Sequence, residues 1–278
     1  MINNDTKDVV VAILAKDKAY CLPFYLICLL NQTYDKKHIH LYIRTNDNTD
    51  NTEEVLEDFI DKHGSKYASV HYDKSSIMPK LKDMGEHEWA FDRLTVMGQI
   101  RDASIEYAIK KNAHYFVVDC DNFIVSNTLE NMYSDRNLGV MAPLLRKTWW
   151  EYYANFHNKI DPNYGWLVED EGYLPILYLH AKGKIYVECV HCSYFIPRNV
   201  LEEVEYSDGC GDKYEYAIFS LCMNRKNIPQ VLDNTQFYGF LCHFGDDSSI
   251  ETMSEWIMKE WATEYKQMLN GKVPSQRT

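Results

Sequence analysis

Short runs of β-branched and aromatic residues constrain the fold of this chain more than any other feature of its sequence. One run spans residues 9–15, a second spans 39–43 and a third spans 115–118. Each run is too short for a typical helix, and the first and third are apolar at odd and even positions alike. A strand of this kind is buried on both faces, as in a parallel sheet covered by helices. The runs therefore predict interior strands of a layered α/β fold.

Apolar residues at helical spacing separate these runs and follow them. The further predicted elements are helices at 51–64, 93–111, 214–224 and 252–270, and strands at 69–72 and 185–196. Strands that alternate with helices favour an α/β fold with a mostly parallel central sheet flanked by helices. Because no linker or repeat interrupts the pattern, we expect a single domain over residues 1–278, with a flexible tail at 271–278.

Charge and hydropathy exclude several classes of partner. The chain of 278 residues has 29 Lys and Arg against 41 Asp and Glu, a formal net charge of −12. This balance gives no basic footprint for nucleic acid. No window reaches the roughly 18 apolar residues that a membrane span needs, and no signal sequence opens the chain. We expect a soluble, cytoplasmic protein whose eight cysteines are mostly reduced and buried.

The third apolar run ends in an acidic motif. Asp119, Cys120 and Asp121 follow residues 115–118 directly. Ligands of open α/β sheets bind at the carboxyl ends of the strands, and two carboxylates there suit Mg²⁺ or Mn²⁺ holding a diphosphate. The alternative is an ordinary acidic turn, since Asp-x-Asp also occurs by chance.

Five motifs together resemble a known family. Residues 48–52, 116–122, 140–143, 190–193 and 238–240 follow the order found in procollagen galactosyltransferases. The chain is more distantly similar to the glycosyltransferase domain of collagen lysyl hydroxylases. The resemblance implies a GT-A (Rossmann-like) fold that binds a UDP-sugar together with Mn²⁺ or Mg²⁺.

The resemblance also implies a set of site residues. Asp119 and Asp121 would bind the metal with His243 as the third ligand, and an imidazole ligand favours manganese. The residues expected at the donor are Thr45, Asp47, Asn48, Arg101, Cys120 and His191. For Thr45 and Asp47 the alternative is a polar turn, for Arg101 a solvated helix charge, and for His243 a histidine satisfied near the core.

Transfer to a hydroxyl with inversion requires a carboxylate that takes the acceptor proton. Asp212 matches the acidic residue that the family has at the start of the helix over 214–224, and Asp208 is second choice. Helix capping is the alternative role for either residue.

Aromatic residues crowd an irregular stretch over 149–178. They are Trp149, Trp150, Tyr152, Tyr153, Trp166 and Tyr173. Aromatic faces stack on sugars and on extended peptides, so these residues are candidates for an acceptor-binding wall, with plain packing as the alternative.

The resemblance implies transfer of galactose from UDP-galactose to hydroxylysine of a collagen-like polypeptide, or of glucose to galactosyl-hydroxylysine. Two other hypotheses stay open: a non-catalytic module that binds collagen or dimerises, and a zinc site at Cys189, His191 and Cys192. A homodimer is a further expectation. For the compartment, resemblance to the family's animal members implies the endoplasmic reticulum lumen as the alternative to the cytoplasm.

Overall fold

The computed structural model describes residues 5–77, 91–165, 167–168, 170–209, 212–242 and 249–277. The strands are β1 (Val9–Ala15), β2 (Ile39–Thr45), β3 (Ser69–Asp73), β4 (His114–Val118), β5 (Asn122–Ile124), β6 (Val140–Pro143), β7 (Phe156–His157), β8 (Lys159–Ile160), β9 (Leu167–Val168), β10 (Lys184–Val187), β11 (Cys189–Val190), β12 (Ser193–Ile196), β13 (Gln230–Asp233) and β14 (Gly239–Leu241). The helices are α1 (Leu22–Leu30), α2 (Thr52–His63), α3 (Phe91–Lys111), α4 (Thr128–Ser134), α5 (Tyr173–Leu177), α6 (Glu215–Arg225), α7 (Ile250–Glu260) and α8 (Ala262–Leu269).

Eight strands form the central sheet in the order β10-β13-β6-β12-β4-β1-β2-β3. Strands β3, β2, β1 and β4 are parallel neighbours, and β6 is parallel to β13. Strand β12 lies antiparallel between β4 and β6. The expected α/β fold with a mostly parallel sheet is confirmed.

The central strands are buried on both faces, as their sequences predicted. In β1, Val9, Val11 and Ile13 belong to one apolar cluster, while Val10 and Ala12 belong to another. The first cluster includes residues of α1, α7 and α8, and the second includes residues of α3 and α6. Successive side chains of a strand point to opposite faces, so each face of β1 packs against its own layer of helices.

Two predicted elements are divided in the structure. The run over 185–196 forms β10, β11 and β12. Strand β11 pairs with β7 instead of joining the central sheet, and residues 191–192, where Cys192 has φ +63°, separate it from β12. The segment over 252–270 is two helices, α7 and α8, separated at Trp261. Trp261 is fully buried and its Nε1 donates to the Lys147 carbonyl at 2.9 Å, so tertiary packing interrupts the helix there.

The aromatic stretch over 149–178 contains short regular elements. Strand β7 pairs with β11, β8 pairs with β9, and α5 follows.

No helix in the described part of the chain is both long and apolar enough to cross a membrane.

Candidate active site

A cavity of about 580 Å³ opens at the carboxyl ends of β1, β2 and β4. Its lining includes Leu14 and Ala15 from β1, Arg44 from β2 and the acidic turn that follows β4. On the opposite side it is lined by Tyr214, Glu215 and Tyr216, at and beside the start of α6. The cavity thus lies where α/β sheets bind ligands.

Backbone hydrogen bonds hold the acidic turn from two directions. The Asp119 N–H donates to the Cys192 carbonyl at 2.8 Å, just before β12 begins. The Cys242 N–H donates to the Asp121 carbonyl at 2.8 Å, just after β14 ends. Within the turn, the Asn122 N–H donates to the Asp119 carbonyl at 2.9 Å. The antiparallel strands therefore fix the position of both aspartates relative to the cavity.

Arg101 joins two carboxylates beside the cavity. Its Nη2 lies 3.0 Å from Asp119 Oδ1 and its Nε lies 3.2 Å from Glu215 Oε1. Arg101 is only 6% exposed, so the alternative of a solvated helix charge is wrong. Burial opposes the charge of the guanidinium, but the neighbouring carboxylates, Asp119 foremost, raise the pKa of Arg101 above its usual value. The side chain also lines the cavity.

Each aspartate of the acidic turn has a basic side chain near it. Burial, together with the charge of Asp121, raises the pKa of Asp119 despite the opposing charge of Arg101. Lys18 Nζ approaches Asp121 Oδ2 at 3.5 Å. Two carboxylates that line one cavity offer hard oxygen ligands to a divalent cation, which would stabilise the ionised form of each. Asp119 and Asp121 therefore fit the expected metal.

The third expected metal ligand, His243, lies outside the described residues, as does Trp166. Among the described residues, no group of three or more His, Cys, Asp or Glu side chains is arranged to hold a metal ion. The nearest described neighbour of His243 in sequence is Cys242, which lines the cavity and contacts Asp121 through its backbone.

Aromatic and imidazole rings form one wall of the cavity. His191 stacks on His157 at 5.3 Å and lies 5.1 Å from the ring of Tyr216, which in turn stacks on Tyr214 at 5.3 Å. Tyr153 lies 6.2 Å from His191. Burial lowers the pKa of His157 to about 4 and that of His191 well below its usual value, so both rings are neutral.

The structure separates the residues expected at the donor. Arg101, Cys120 and His191 line the cavity, whereas Thr45, Asp47 and Asn48 are not among its lining residues. Asn48 donates to Thr45 Oγ1 at 2.7 Å and accepts from the Asp17 N–H at 2.9 Å. These contacts connect the loops that follow β1 and β2.

The neighbours of Thr45, which are Arg44 and Asn46, line the cavity instead. Neither residue was among those expected at the donor. Arg44 and Asn46 flank Thr45, so alternation of side chains at the end of β2 is the signal that would have separated Thr45 from these two residues.

The two candidate bases also lie away from the cavity lining. Asp212 has a side chain that is 66% exposed and pairs with Lys213 Nζ at 2.9 Å. Asp208 pairs with the same ammonium at 3.3 Å. Glu215, three residues after Asp212, is 4% exposed and lines the cavity.

The apolar composition of α6 is the sequence feature that could have identified Glu215 as a cavity residue. Every residue of the helix from Ala217 to Met223 is buried, so the helix packs in the interior and can place an acid at its start inside the cavity. The bases predicted from the sequence, Asp212 and Asp208, lie before this helix instead.

The aromatic residues of the stretch over 149–178 divide between packing and the cavity. Trp149 packs on Trp261 at 5.1 Å, and Tyr152 packs on Tyr173 at 4.8 Å. Tyr153 is the one described member of the predicted set that lines the cavity. Trp149, Tyr152 and Tyr173 therefore take part in packing, which was the alternative to an acceptor-binding wall.

The described cysteines are free, and all except Cys192 are buried. Cys189 packs with Ile160, Ala217 and Leu221, whereas Cys192 lines the cavity with its Sγ 2.8 Å from His191 Nδ1. The expectation of reduced, mostly buried cysteines is confirmed for these residues.

Solved structures share the fold of nearly the whole chain. TarS 1-349 of S. aureus superimposes with a TM-score of 0.54 at 12% identity, over 95% of this chain and 70% of that one. The mannosyltransferase PcManGT of Pyrobaculum calidifontis, in complex with GDP-Man and Mn²⁺, gives a TM-score of 0.50 at 11% identity, over 96% of this chain and 65% of that one. At these identities the similarity establishes the fold, which is GT-A.

Relatives with established names are similar in sequence. Procollagen galactosyltransferase 2 of Homo sapiens is 25% identical over 243 residues, covering 84% of this chain and 38% of that protein. An inactive glycosyltransferase 25 family member 3 of Mus musculus is 29% identical over 190 residues, covering 68% of this chain and 32% of that protein. The chain thus spans about two fifths of the length of the relatives it matches.

The family assignment comes from a match over most of the sequence. The model of the N-terminal domain of glycosyltransferase family 25 matches residues 6–260. Together with the GT-A fold and the acidic turn in its cavity, this match shows that the chain belongs to glycosyltransferase family 25.

Proposed function

We propose that this protein transfers galactose from UDP-galactose to the hydroxyl of hydroxylysine in a collagen-like polypeptide. The observation that carries the proposal is the position of Asp119 and Asp121, which line a cavity at the carboxyl end of a buried strand in a chain of this family. Procollagen galactosyltransferases are among the relatives that match most of the chain.

The two aspartates would hold Mn²⁺ or Mg²⁺, which when bound would neutralise charge on the departing diphosphate. Arg101 fixes Asp119 Oδ1 at 3.0 Å, and the bonds to Cys192 and Cys242 fix the turn, so the ligands need little reorganisation. The wall containing Tyr153, Tyr214 and Tyr216 offers apolar ring faces to a sugar or to an extended polypeptide. The net charge of −12 suits a lysine-containing acceptor.

Glucose transfer from UDP-glucose to galactosyl-hydroxylysine is the nearest alternative, because the cavity lining does not distinguish the two sugars. A non-catalytic binding module is a second alternative. It is favoured by the 29% identity to a family member named inactive.

The test is UDP release from UDP-galactose and UDP-glucose with Mn²⁺, without a peptide, with a hydroxylysine-containing collagen peptide and with the same peptide carrying galactosyl-hydroxylysine. We expect peptide-stimulated release that EDTA abolishes and that Asp121→Asn lowers at least about 100-fold. Asp58→Asn, an exposed carboxylate on α2 paired with Lys62, is the matched control and keeps the wild-type rate. Release from UDP-glucose that the galactosyl-hydroxylysine peptide stimulates, without release from UDP-galactose, would establish the glucosyl alternative. No release with either donor from a folded protein would leave the binding module.

A further inference from the structure

The cavity has one carboxylate that the expected metal site leaves over. Its described lining contains three acids, Asp119, Asp121 and Glu215. The first two belong to the acidic turn after β4. Glu215 belongs to α6, on the other side of the Arg101 guanidinium.

We propose that Glu215 is the general base that accepts the proton of the acceptor hydroxyl. The proposal rests on the proposed sugar transfer. In the reaction, the acceptor O–H bond breaks and its proton goes to the Glu215 carboxylate. The acceptor oxygen forms a bond to the anomeric carbon, and the bond from that carbon to the phosphate oxygen breaks, so UDP leaves with the electron pair.

Burial and pairing support this role for Glu215. The residue is 4% exposed, and its Oε1 accepts from Arg101 Nε at 3.2 Å. A buried carboxylate held by a guanidinium is restricted to one position, which a base needs in order to meet a bound hydroxyl. Asp212, by contrast, is 66% exposed and paired with Lys213 outside the cavity lining.

The neighbours of Glu215 place it on the acceptor side of the cavity. Tyr214 and Tyr216 flank it in sequence, and both line the cavity with stacked rings. Asp119 lies across the same guanidinium, on the side where a metal-bound diphosphate would lie. A donor bound at the acidic turn and an acceptor bound at the tyrosine wall would therefore meet next to Glu215.

Glu215→Gln is the informative variant, since the amide keeps an oxygen that accepts from Arg101 and loses the ability to take a proton. With UDP-galactose, Mn²⁺ and a hydroxylysine-containing peptide, we expect kcat to fall at least about 100-fold. The Tm should stay within a few degrees of wild type, and the Kd for UDP with Mn²⁺ should stay within about threefold. Glu255→Gln, on the exposed face of α7, is the matched control.

Several results would overturn the assignment. A Glu215→Gln protein that retains transfer within about fivefold of wild type excludes Glu215 as the base, and Asp212→Asn measured in parallel then tests the other candidate. Loss of both UDP affinity and transfer would show a structural role through Arg101.

If Glu215→Gln does not fold, Glu215→Asp replaces it. A kcat at least tenfold lower at unchanged KM for the donor supports the proposal, and an unchanged kcat overturns it. A wild-type protein without transfer refutes the proposed function, and the assignment of Glu215 falls with it.

Discussion

Arg101 is the residue on which the geometry of the candidate site depends most. It is buried on α3 and its guanidinium contacts carboxylates from two other elements, the turn after β4 and the start of α6. Replacement of every charged partner in a buried ion pair by apolar residues often changes the stability little. Removal of one partner is strongly destabilising, because the remaining charges stay buried without a counter-charge. Arg101 therefore links the position of Asp119 to that of Glu215.

We expect Arg101→Met to lower the free energy of unfolding by about 3–5 kcal/mol, because Asp119 and Glu215 would then repel each other without a counter-charge. Urea denaturation followed by circular dichroism measures the change. Arg225→Met, at the exposed C-terminal end of α6, is the matched control and should change stability by less than about 0.5 kcal/mol. Equal effects of the two substitutions would contradict this account.

His114 makes stability depend on pH. Its Nδ1 accepts from the Arg198 N–H at 2.9 Å, and its Nε2 lies 3.0 Å from the Thr6 carbonyl, so the neutral ring is fully paired. Burial lowers its pKa from 6.5 to about 4. Between these two values the unfolded chain binds more protons than the folded one, so the native state loses stability as the pH falls.

The expected slope from His114 is up to about 1.4 kcal/mol per pH unit between about pH 6.5 and pH 4. Urea unfolding of wild type and His114→Gln at pH 7, 6 and 5 measures it, since glutamine can both donate and accept but does not titrate. The difference in unfolding free energy between the two proteins should shrink as the pH falls. A difference that stays constant over this range would show that His114 is not held neutral.

The pair β5 and β14 is the element that orients the acidic turn. Leu241 pairs with Asn122, and the next residue, Cys242, donates to the Asp121 carbonyl. The two strands approach closely at Gly239, where φ is +135° and a Cβ would lie 1.9 Å from the Phe123 carbonyl oxygen. Only glycine fits this backbone and this spacing.

Gly239→Ala should therefore lower the free energy of unfolding by at least about 2 kcal/mol. It should also weaken UDP binding, because separation of the two strands would move Asp121. Gly64→Ala is the matched control: Gly64 has φ −54° and its added methyl would meet Ile60 and Val70 at ordinary contact distance. Thermal unfolding and UDP titration compare the two, and a stable Gly239→Ala protein would contradict the close approach.

At the scale of the molecule, the cavity gathers residues from both parts of the sheet. Arg44 and Asp119 come from the parallel half, while His191 precedes the antiparallel β12 and Tyr216 lies on α6. A ligand bound in this cavity contacts elements that are distant in sequence. These elements come together only in the folded state. Binding to the folded state alone raises the apparent stability.

We expect UDP with Mn²⁺ at about 100 times its Kd to add about 2.7 kcal/mol to the unfolding free energy and to raise the Tm by about 5 °C. Asp121→Asn should lose most of this shift. A thermal shift assay measures both. An equal shift in wild type and in Asp121→Asn would place the nucleotide elsewhere.

Local patterns in the sequence were sufficient to predict the layered α/β class and the edge where the site lies. The runs at 9–15, 39–43 and 115–118 are short and rich in β-branched and aromatic residues, which favours strands over helices. The acidic turn follows one of these runs directly, so its place at a strand end was a property of adjacent residues.

Contacts between distant residues decided the rest. Whether Glu215 or Asp212 faces the cavity depends on how α6 docks on α3, through an ion pair that joins residues 114 positions apart. The break at Trp261 likewise depends on the pocket that receives its indole and on a carbonyl 114 residues away. Sequence patterns record which residues are apolar and how they are spaced. Which polar side chain becomes buried, and with which partner, is fixed only when the elements pack together.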